Sequence, residues 1–465
     1  MALRLKNSFT RAREEFVPIV EGKVGMYTCG PTVYDFAHIG NFRTYVFEDL
    51  LRRYLKYKGY EVTQVMNLTD IDDKTIRDSR AQGIPLKEYT QQFVDAFFED
   101  LDALGIERAE HYPAATDHIE EMVAIIQRLE KNGLAYEVDG NWYFKISAFP
   151  DYGKLAHLDL SELKVGARVA ADEYEKDSVS DFALWKAWDE DDGDVFWESP
   201  LGKGRPGWHI ECSAMSTKYL GDHFDIHTGG VDNMFPHHEN EIAQTEGATG
   251  TKFVNYWLHS EYLIVDGRKM SKSLGNYFKL RDVIDKGYDP MSVRYLLMAT
   301  HYRQQLNFTF AGLESAGRAL ERFNDFVVNL ESYGGGESDG TAAAAIDKAA
   351  NGFEKALDDD LNISGALGTV FDFVREINRL KAENHLSADE RDQALELVRK
   401  FDTVLGIIAK QDTVLDHEIE ALIESRTEAR KNKDFALADK IRDDLLAQGI
   451  VLEDSAQGVR WKRKA

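Results

Sequence analysis

Cysteine is nearly absent: only Cys29 and Cys212 occur in 465 residues. A secreted disulfide framework is therefore not expected, and the cytoplasm is the expected compartment. One long-range disulfide and two unrelated buried thiols both stay open on count alone. No stretch approaches the roughly 18 apolar residues that a membrane span needs. Residues 1–10 carry Arg4 and Lys6 with no apolar run behind them, so no secretory signal is expected. Positive charge is in the minority, 56 Lys and Arg against 81 Asp and Glu, for a net −25. A uniformly basic nucleic-acid coat is thereby excluded, and membrane association through a basic patch is not expected. A local basic surface would still suffice for phosphate contacts. What is there, 43% hydrophobic and 29% charged residues, can bury a sizeable core. The length suggests about three domains.

The first third alternates strand and helix. Residues 24–28 form a short strand ending at the turn Cys29-Gly30-Pro31-Thr32, 42–57 reads as helix, and 61–68 as a buried strand. Strand, glycine turn, helix, strand is a parallel unit typical of a doubly wound sheet, whose ligands lie beyond the carboxyl ends of the strands. Cys29, His38 and Asn67-Leu68-Thr69-Asp70 all follow strands and could share one crevice. Residues 117–206 differ in texture, with a helix at 118–131, aromatic strands such as 141–146 and an acidic run at 189–194. An insertion between two halves of the sheet is the favoured reading, an independent domain the other. Sheet character returns at 208–215 and 221–230, with a strand at 224–228 and another at 257–265. From Gly312 the pattern is helical: Leu313, Ala316, Leu320, Phe323, Val327 and Leu330 form one stripe. Gly334, Gly335 and Gly336 suggest a flexible linker. Leu367, Phe371 and Val374, then Ala394, Val398, Phe401 and Leu405, mark further helices of a small bundle. The last fifty residues read as a helix through Ala438, Ile441 and Leu445, then a hairpin.

Three groups of residues could carry chemistry. If Pro236 opens a helix, His237 and Glu241 stand four apart on one face, half of a metal site, although a polar helix start at the surface explains them as well. With Cys29 and Cys212 they would make an S, S, N, O donor set suited to Zn²⁺, provided that the fold brings them together. Lys269-Met270-Ser271-Lys272-Ser273 places two lysines three apart on a polar loop, suited to a polyphosphate, though a solvated basic loop is an alternative. His38-Ile39-Gly40-Asn41 sits after a strand at a helix start. There Gly40 admits close backbone approach, His38 can donate to a phosphate oxygen and the helix N-terminus favours anions. A surface histidine beside a glycine turn is the plainer alternative.

With all three in one chain, the sequence closely resembles the cysteinyl-tRNA synthetases of class I. Cys29-Gly30-Pro31-Thr32-Val33-Tyr34-Asp35 leading to His38-Ile39-Gly40-Asn41 is similar to that family's opening motif. Gly207-Trp208-His209-Ile210-Glu211-Cys212-Ser213, Gly229-Gly230-Val231-Asp232 and Phe235-Pro236-His237-His238-Glu239-Asn240-Glu241 are similar to its zinc region, and 269–273 to the second class signature. The likeness continues through Asp358-Asp359-Asp360-Leu361-Asn362 to Trp461. Asn41 departs from it, standing where class I enzymes often have a second histidine.

The resemblance implies an α/β chain with a Rossmann-type parallel-sheet catalytic domain. Its halves would be 1–116 and 207–310, with a connective insertion at 117–206. A helical tRNA-binding bundle (311–410) and a small α+β anticodon-binding module (411–465) would follow. Cys29, Cys212, His237 and Glu241 would hold one Zn²⁺. His38, Gly40 and Asn41 would contact ATP, which arrives with Mg²⁺, and Lys269 and Lys272 would stabilise the transition state of adenylate formation. Thr69, Trp208 and Asp232 would surround the cysteine. The implied partners are L-cysteine, ATP and tRNA-Cys, with no membrane and a monomeric enzyme. Arg426, Arg430, Lys431 and Lys433, with Arg460, Lys462, Arg463 and Lys464 beside Trp461, would meet anticodon bases by stacking and charge. Zinc would separate a thiol from a hydroxyl at binding, so no editing domain is expected. A related ligase using an amino-sugar acceptor would leave the helical and tail modules without a task. A zinc hydrolase with Glu239 or Glu241 as base would leave 269–273 unexplained.

Overall fold

The structure, a computed structural model, describes residues 2–158, 168–169, 181–408, 413–432, 434–447, 450–455 and 458–463. An antiparallel hairpin, β1 (Arg4–Asn7) and β2 (Ala12–Glu15), precedes β3 (Lys23–Thr28), α1 (Ile39–Tyr57) and β4 (Glu61–Met66). Next come α2 (Asp73–Gln82), α3 (Leu86–Ala103) and α4 (Ile119–Lys131). The inserted block adds a small sheet built from β5 (Ala135–Val138), β6 (Asn141–Phe144), β7 (Arg168–Val169), β8 (Asp181–Ala187) and β9 (Gly204–Pro206). The main sheet resumes with α5 (Trp208–Leu220), β10 (Phe224–Gly230), α6 (Glu239–Thr249) and β11 (Val254–Ser260).

The main sheet has the order β11-β10-β3-β4, and every pairing is parallel. From β3 the chain winds outward to β4, whereas β10 winds the other way to β11. The direction therefore reverses between β3 and β10, where a crevice opens beyond their carboxyl ends. Cys29 leaves β3 there, and Val231-Asp232 leave β10.

A second small sheet of β12 (Leu263–Val265), β13 (Arg268–Lys269) and β14 (Leu306–Phe308) carries the lysine loop, with α7 (Leu280–Ile284) and α8 (Pro290–Ala299) between. Then follow α9 (Phe310–Glu331), α10 (Thr341–Asp358), α11 (Ile363–Ala382) and α12 (Ala388–Leu405). The C-terminal part holds α13 (Thr413–Lys431), α14 (Phe435–Ala447) and the hairpin β15 (Ile450–Ser455) with β16 (Gly458–Arg463).

Two large apolar clusters form. One joins α1 to the helical bundle, and the other lies between the main sheet and the inserted block. The stripe from Leu313 to Leu330 is the buried face of α9.

Three sequence expectations are corrected. Residues 208–215 are helix rather than sheet, because α5 is buried without a break from His209 to Ser216 and so shows no stripe of period 3.6. The expected strand 257–265 is two strands in different sheets, β11 and β12. The glycines at 334–336 do not make a free linker, since Gly336 N donates to Leu386 O at 2.7 Å and Glu337 N to Asn384 O at 3.0 Å. A Cβ on Gly336 would stand 2.6 Å from Asn384 O, so glycine serves close packing there.

Candidate active site and metal centre

The metal candidates converge from three elements. Cys29 follows β3, Cys212 lies in α5, and His237 and Glu241 lie one turn apart across the start of α6. One ligand atom of each falls within 4.8 Å of all the others, and all four residues are buried. Gly30 makes the approach of the Cys29 turn possible. Its N–H donates to Asn67 Oδ1 at 2.8 Å, and a Cβ there would stand 1.8 Å from Asn67 O. Both cysteines are free thiols, so the long-range disulfide is not formed.

Electrostatics divides the four into unlike pairs. Burial, with Cys212 alongside, drives the Cys29 thiol well above its ordinary range. At Cys212 burial pushes upward too, but the hydrogen bond from Cys29 and the charge of His237 outweigh it, and this thiol falls well below. His237 rises despite its burial because Cys212 and Glu241 lie beside it. Burial and the negative Cys212 push the Glu241 carboxyl far up. Glu241 Oε1, 3.2 Å from His237 Nε2, makes no hydrogen bond. Two sulfurs, an imidazole and a carboxylate with an unsatisfied buried oxygen fit a borderline-soft divalent cation such as Zn²⁺.

Around this set stands a ring of imidazoles that sequence reasoning missed. His238 Nε2 lies 3.2 Å from Cys29 Sγ, and His227 Nε2 lies 2.9 Å from Glu241 Oε2. His209 Nδ1 is 2.8 Å from His237 Nδ1, and His238 Nδ1 is 2.8 Å from His259 Nε2. Burial holds these rings neutral, with His227 and His259 brought down to about 3 and His209 and His238 well below the ordinary value. Such contacts orient metal-binding side chains from behind. Only His209 and His238 had a sequence signal, as members of the quoted motifs. A second donor group, Cys29, His227, His238 and Glu241, overlaps the first.

Of the cysteine-site candidates, Trp208 touches this centre, and Thr69 reaches Glu211, the residue before Cys212. Thr69 Oγ1 donates to Glu211 Oε2 at 2.9 Å, and the Trp208 ring lies against His237 with centroids 4.4 Å apart. Asp232 is exposed at the mouth, near enough to act electrically on His38. Glu239, a possible hydrolytic base on sequence grounds, is engaged elsewhere: it accepts from Gly153 N at 2.7 Å and Ala156 N at 2.9 Å.

At the other end of the crevice, His38 caps α1. Asn41 N donates to His38 Nδ1 at 3.1 Å, and His38 N donates to Asn41 Oδ1 at 3.0 Å, a reciprocal box. Burial brings His38 down to about 4. The ring is therefore neutral, and with Nδ1 accepting, Nε2 carries the proton. Asn41, the departure noted above, is the other half of this cap. Gly40 lies under the lysine loop, where an added Cβ would meet Met270 Cε at 3.2 Å. Lys269 is exposed on β13, with its carbonyl accepting from Asn276 Nδ2 at 3.1 Å. Lys272 Nζ donates to Asp35 Oδ2 at 2.7 Å.

The tail candidates are scattered. Arg426 is buried, whereas Arg430 and Lys431 are exposed on α13. Lys433 and Lys464, and the side chains of Arg460, Trp461, Lys462 and Arg463, lie outside the described residues.

Residues 15–318 match the family model for the catalytic domain of class I (C) tRNA synthetases. Residues 352–409 match a DALR domain, and 412–461 a cysteinyl-tRNA ligase anticodon-binding domain. A cysteine–tRNA ligase of Brachyspira hyodysenteriae is 53% identical over 98% of both chains. The chain belongs to the cysteine–tRNA ligase family. One of Protochlamydia amoebophila is 52% identical over 99% of this chain and 98% of its own. Among solved structures, a Mycobacterium tuberculosis methionyl-tRNA synthetase with methionyl-adenylate superposes with TM-score 0.62 at 15% identity, covering 83% of this chain and 92% of its own. A leucyl-tRNA synthetase of Agrobacterium radiobacter K84 gives 0.60 at 12% identity, covering 84% and 85%. Those two distant likenesses speak for the fold.

Proposed function

We propose that this chain activates L-cysteine with ATP and transfers it to the 3′ end of tRNA-Cys. One observation carries the reading: the four soft and hard donors meet at the strand reversal, in the same crevice that His38 and the lysine loop close at its other end. Cys29, Cys212, His237 and Glu241 would hold Zn²⁺. When bound, the ion supplies an electron-pair acceptor that prefers a thiolate to a hydroxyl, a distinction that an apolar pocket makes by only about 100-fold for near-isosteres. Thr69, Trp208 and Asp232 line the cysteine end.

Activation needs little covalent help from the protein. The cysteine carboxylate attacks the α-phosphorus of ATP·Mg²⁺, the bond to the bridging oxygen breaks, and pyrophosphate leaves. Neutral His38 donates from Nε2 to a phosphate oxygen. Gly40 lets the triphosphate approach the α1 N-terminus, beside Asn41. Lys269 and Lys272 offset the negative charge that grows on the phosphates. A terminal ribose hydroxyl of the tRNA then attacks the activated carbonyl; the mixed-anhydride bond to the phosphate oxygen breaks, AMP leaves as the phosphate anion, and the hydroxyl proton passes to a phosphate oxygen or to water. The inserted block supports the acceptor end, and the helical and C-terminal parts hold the rest of the tRNA.

Free, buried thiols favour a cytoplasmic enzyme, and among the described residues no helix is long and apolar enough to cross a membrane. We take the working unit to be a monomer, which sedimentation equilibrium tests. Cysteine-dependent ATP–pyrophosphate exchange, followed by charging of tRNA with a GCA anticodon, tests the whole reading. Both activities are expected, and a folded, metal-loaded protein with neither contradicts it.

A further inference from the structure

Asp35 joins the tip of the lysine loop to its foot. Lys272 Nζ, at the tip, lies 2.7 Å from Asp35 Oδ2, and Lys279 Nζ, at the foot, lies 3.1 Å from Asp35 Oδ1. The carboxylate is itself fixed, accepting from Phe36 N at 2.8 Å. Around it the two segments are zipped together. Ile39 N donates to Phe278 O at 3.0 Å, His38 and Lys279 form an antiparallel bridge, and Lys279 Nζ sits 4.5 Å from the centre of the Phe36 ring. Lys272 Nζ is 5.1 Å from the Tyr277 ring, which in turn meets the His38 ring edge-on at 5.1 Å. Met270 reaches over Gly40. The loop lysine is thus aimed at the His38 end of the crevice by contacts outside its own loop.

We propose that Asp35 is a positioning residue for Lys272, holding its ammonium over the phosphate end of the crevice so that it need not be ordered when ATP arrives. The inference rests on the reading that Lys272 serves ATP chemistry. Lys272 is 64% exposed, and an exposed four-bond side chain left alone samples many rotamers. Asp35 is only 23% exposed and carries Lys279 as a second cation, so the cluster keeps a net positive charge toward a polyanion. Burial raises the Asp35 carboxyl, but Lys272 and Lys279 outweigh that and bring it below the usual range, so it is ionised at neutral pH.

The test is a double-mutant cycle in cysteine-dependent ATP–pyrophosphate exchange, using the full chain. Asp35→Asn is expected to lower kcat/KM for ATP on the order of fivefold, the range of a partly exposed ion pair, with the KM for cysteine unchanged. Asp35→Glu, which keeps the charge, is expected to retain more than half the activity. In a Lys272→Ala background, Asp35→Asn should add no further loss, because its partner is gone. A similar loss in both backgrounds, a wild-type value for Asp35→Asn, or a Glu variant as impaired as the Asn variant overturns the proposal. If folded wild-type protein shows no cysteine-dependent exchange, the functional reading fails instead, so the two failures are distinguishable.

Discussion

At the scale of single residues, the proposed function puts most weight on Lys272, whose side chain is tied to Asp35 in the segment bearing His38. Lys272→Ala is expected to slow cysteinyl-adenylate formation by two to four orders of magnitude, about 3–5 kcal/mol of transition-state stabilisation. Unchanged pyrophosphate exchange contradicts that role. The buried imidazoles make a separate prediction. His259 titrates at about 3 in the fold against an ordinary 6.5, so below that ordinary value the unfolded chain takes up a proton that the folded one refuses. Stability therefore falls as pH drops from 6.5 toward 3, by up to about 1.4 kcal/mol per pH unit for such a group. Urea unfolding of chelator-treated protein between pH 6.5 and 5 should show a slope reduced by roughly that amount in His259→Gln. An identical slope contradicts the neutral buried ring. The donor set was legible only in part from the residues: His237 and Glu241 at helical spacing suggested half of a site, and the resemblance supplied the assignment of all four, whose donor atoms the fold does bring together. The imidazole ring was not. His209 and His238 stood in quoted motifs with no role assigned to them, whereas His227 and His259 come from other stretches of chain that tertiary packing brings to the same point.

Among the elements, α2 shows how the inserted block is held to the sheet. Asp73, its first residue, takes Arg205 of β9 at 2.6 Å and Lys186 of β8 at 3.0 Å, while Arg205 also meets Asp192 at 2.7 Å. Both cations are buried, and Asp73 shares their charge with Asp192. Asp73→Asn should destabilise the protein by about 1–2 kcal/mol, less than a fully buried pair because Asp73 is 42% exposed. A urea midpoint equal to wild type contradicts the clamp. Strands β3, β4 and β10 were readable as short apolar runs bounded by turn residues, and α9 by its single stripe. Helix α5 was misread for a physical reason: with sheet on one side and inserted block on the other, it has no polar face to reveal a period. The glycines after α9 were misread because a glycine needed for close backbone approach has the same letter as one that loosens a linker.

For the molecule as a whole, the match to a catalytic domain and the match to an anticodon-binding domain fall on different parts of the chain. The crevice is built by the sheet, α1, α5, α6 and the lysine loop, whereas the match to an anticodon-binding domain begins at residue 412. Truncation after Leu415 should weaken tRNA charging at least tenfold while sparing pyrophosphate exchange, by analogy with losing an independent contact surface. Equal loss of both contradicts that division. The net charge of −25 says little against tRNA binding, since it is a sum and the contact is local. The central claim is that the buried donor set selects the amino acid by its sulfur. Its most direct measurement compares cysteine with serine in pyrophosphate exchange, using protein stripped of transition metal, shown to be folded, and then reloaded with Zn²⁺. The account predicts that stripping abolishes the preference for cysteine and that Zn²⁺ restores it. Folded, metal-free protein that still prefers cysteine contradicts it.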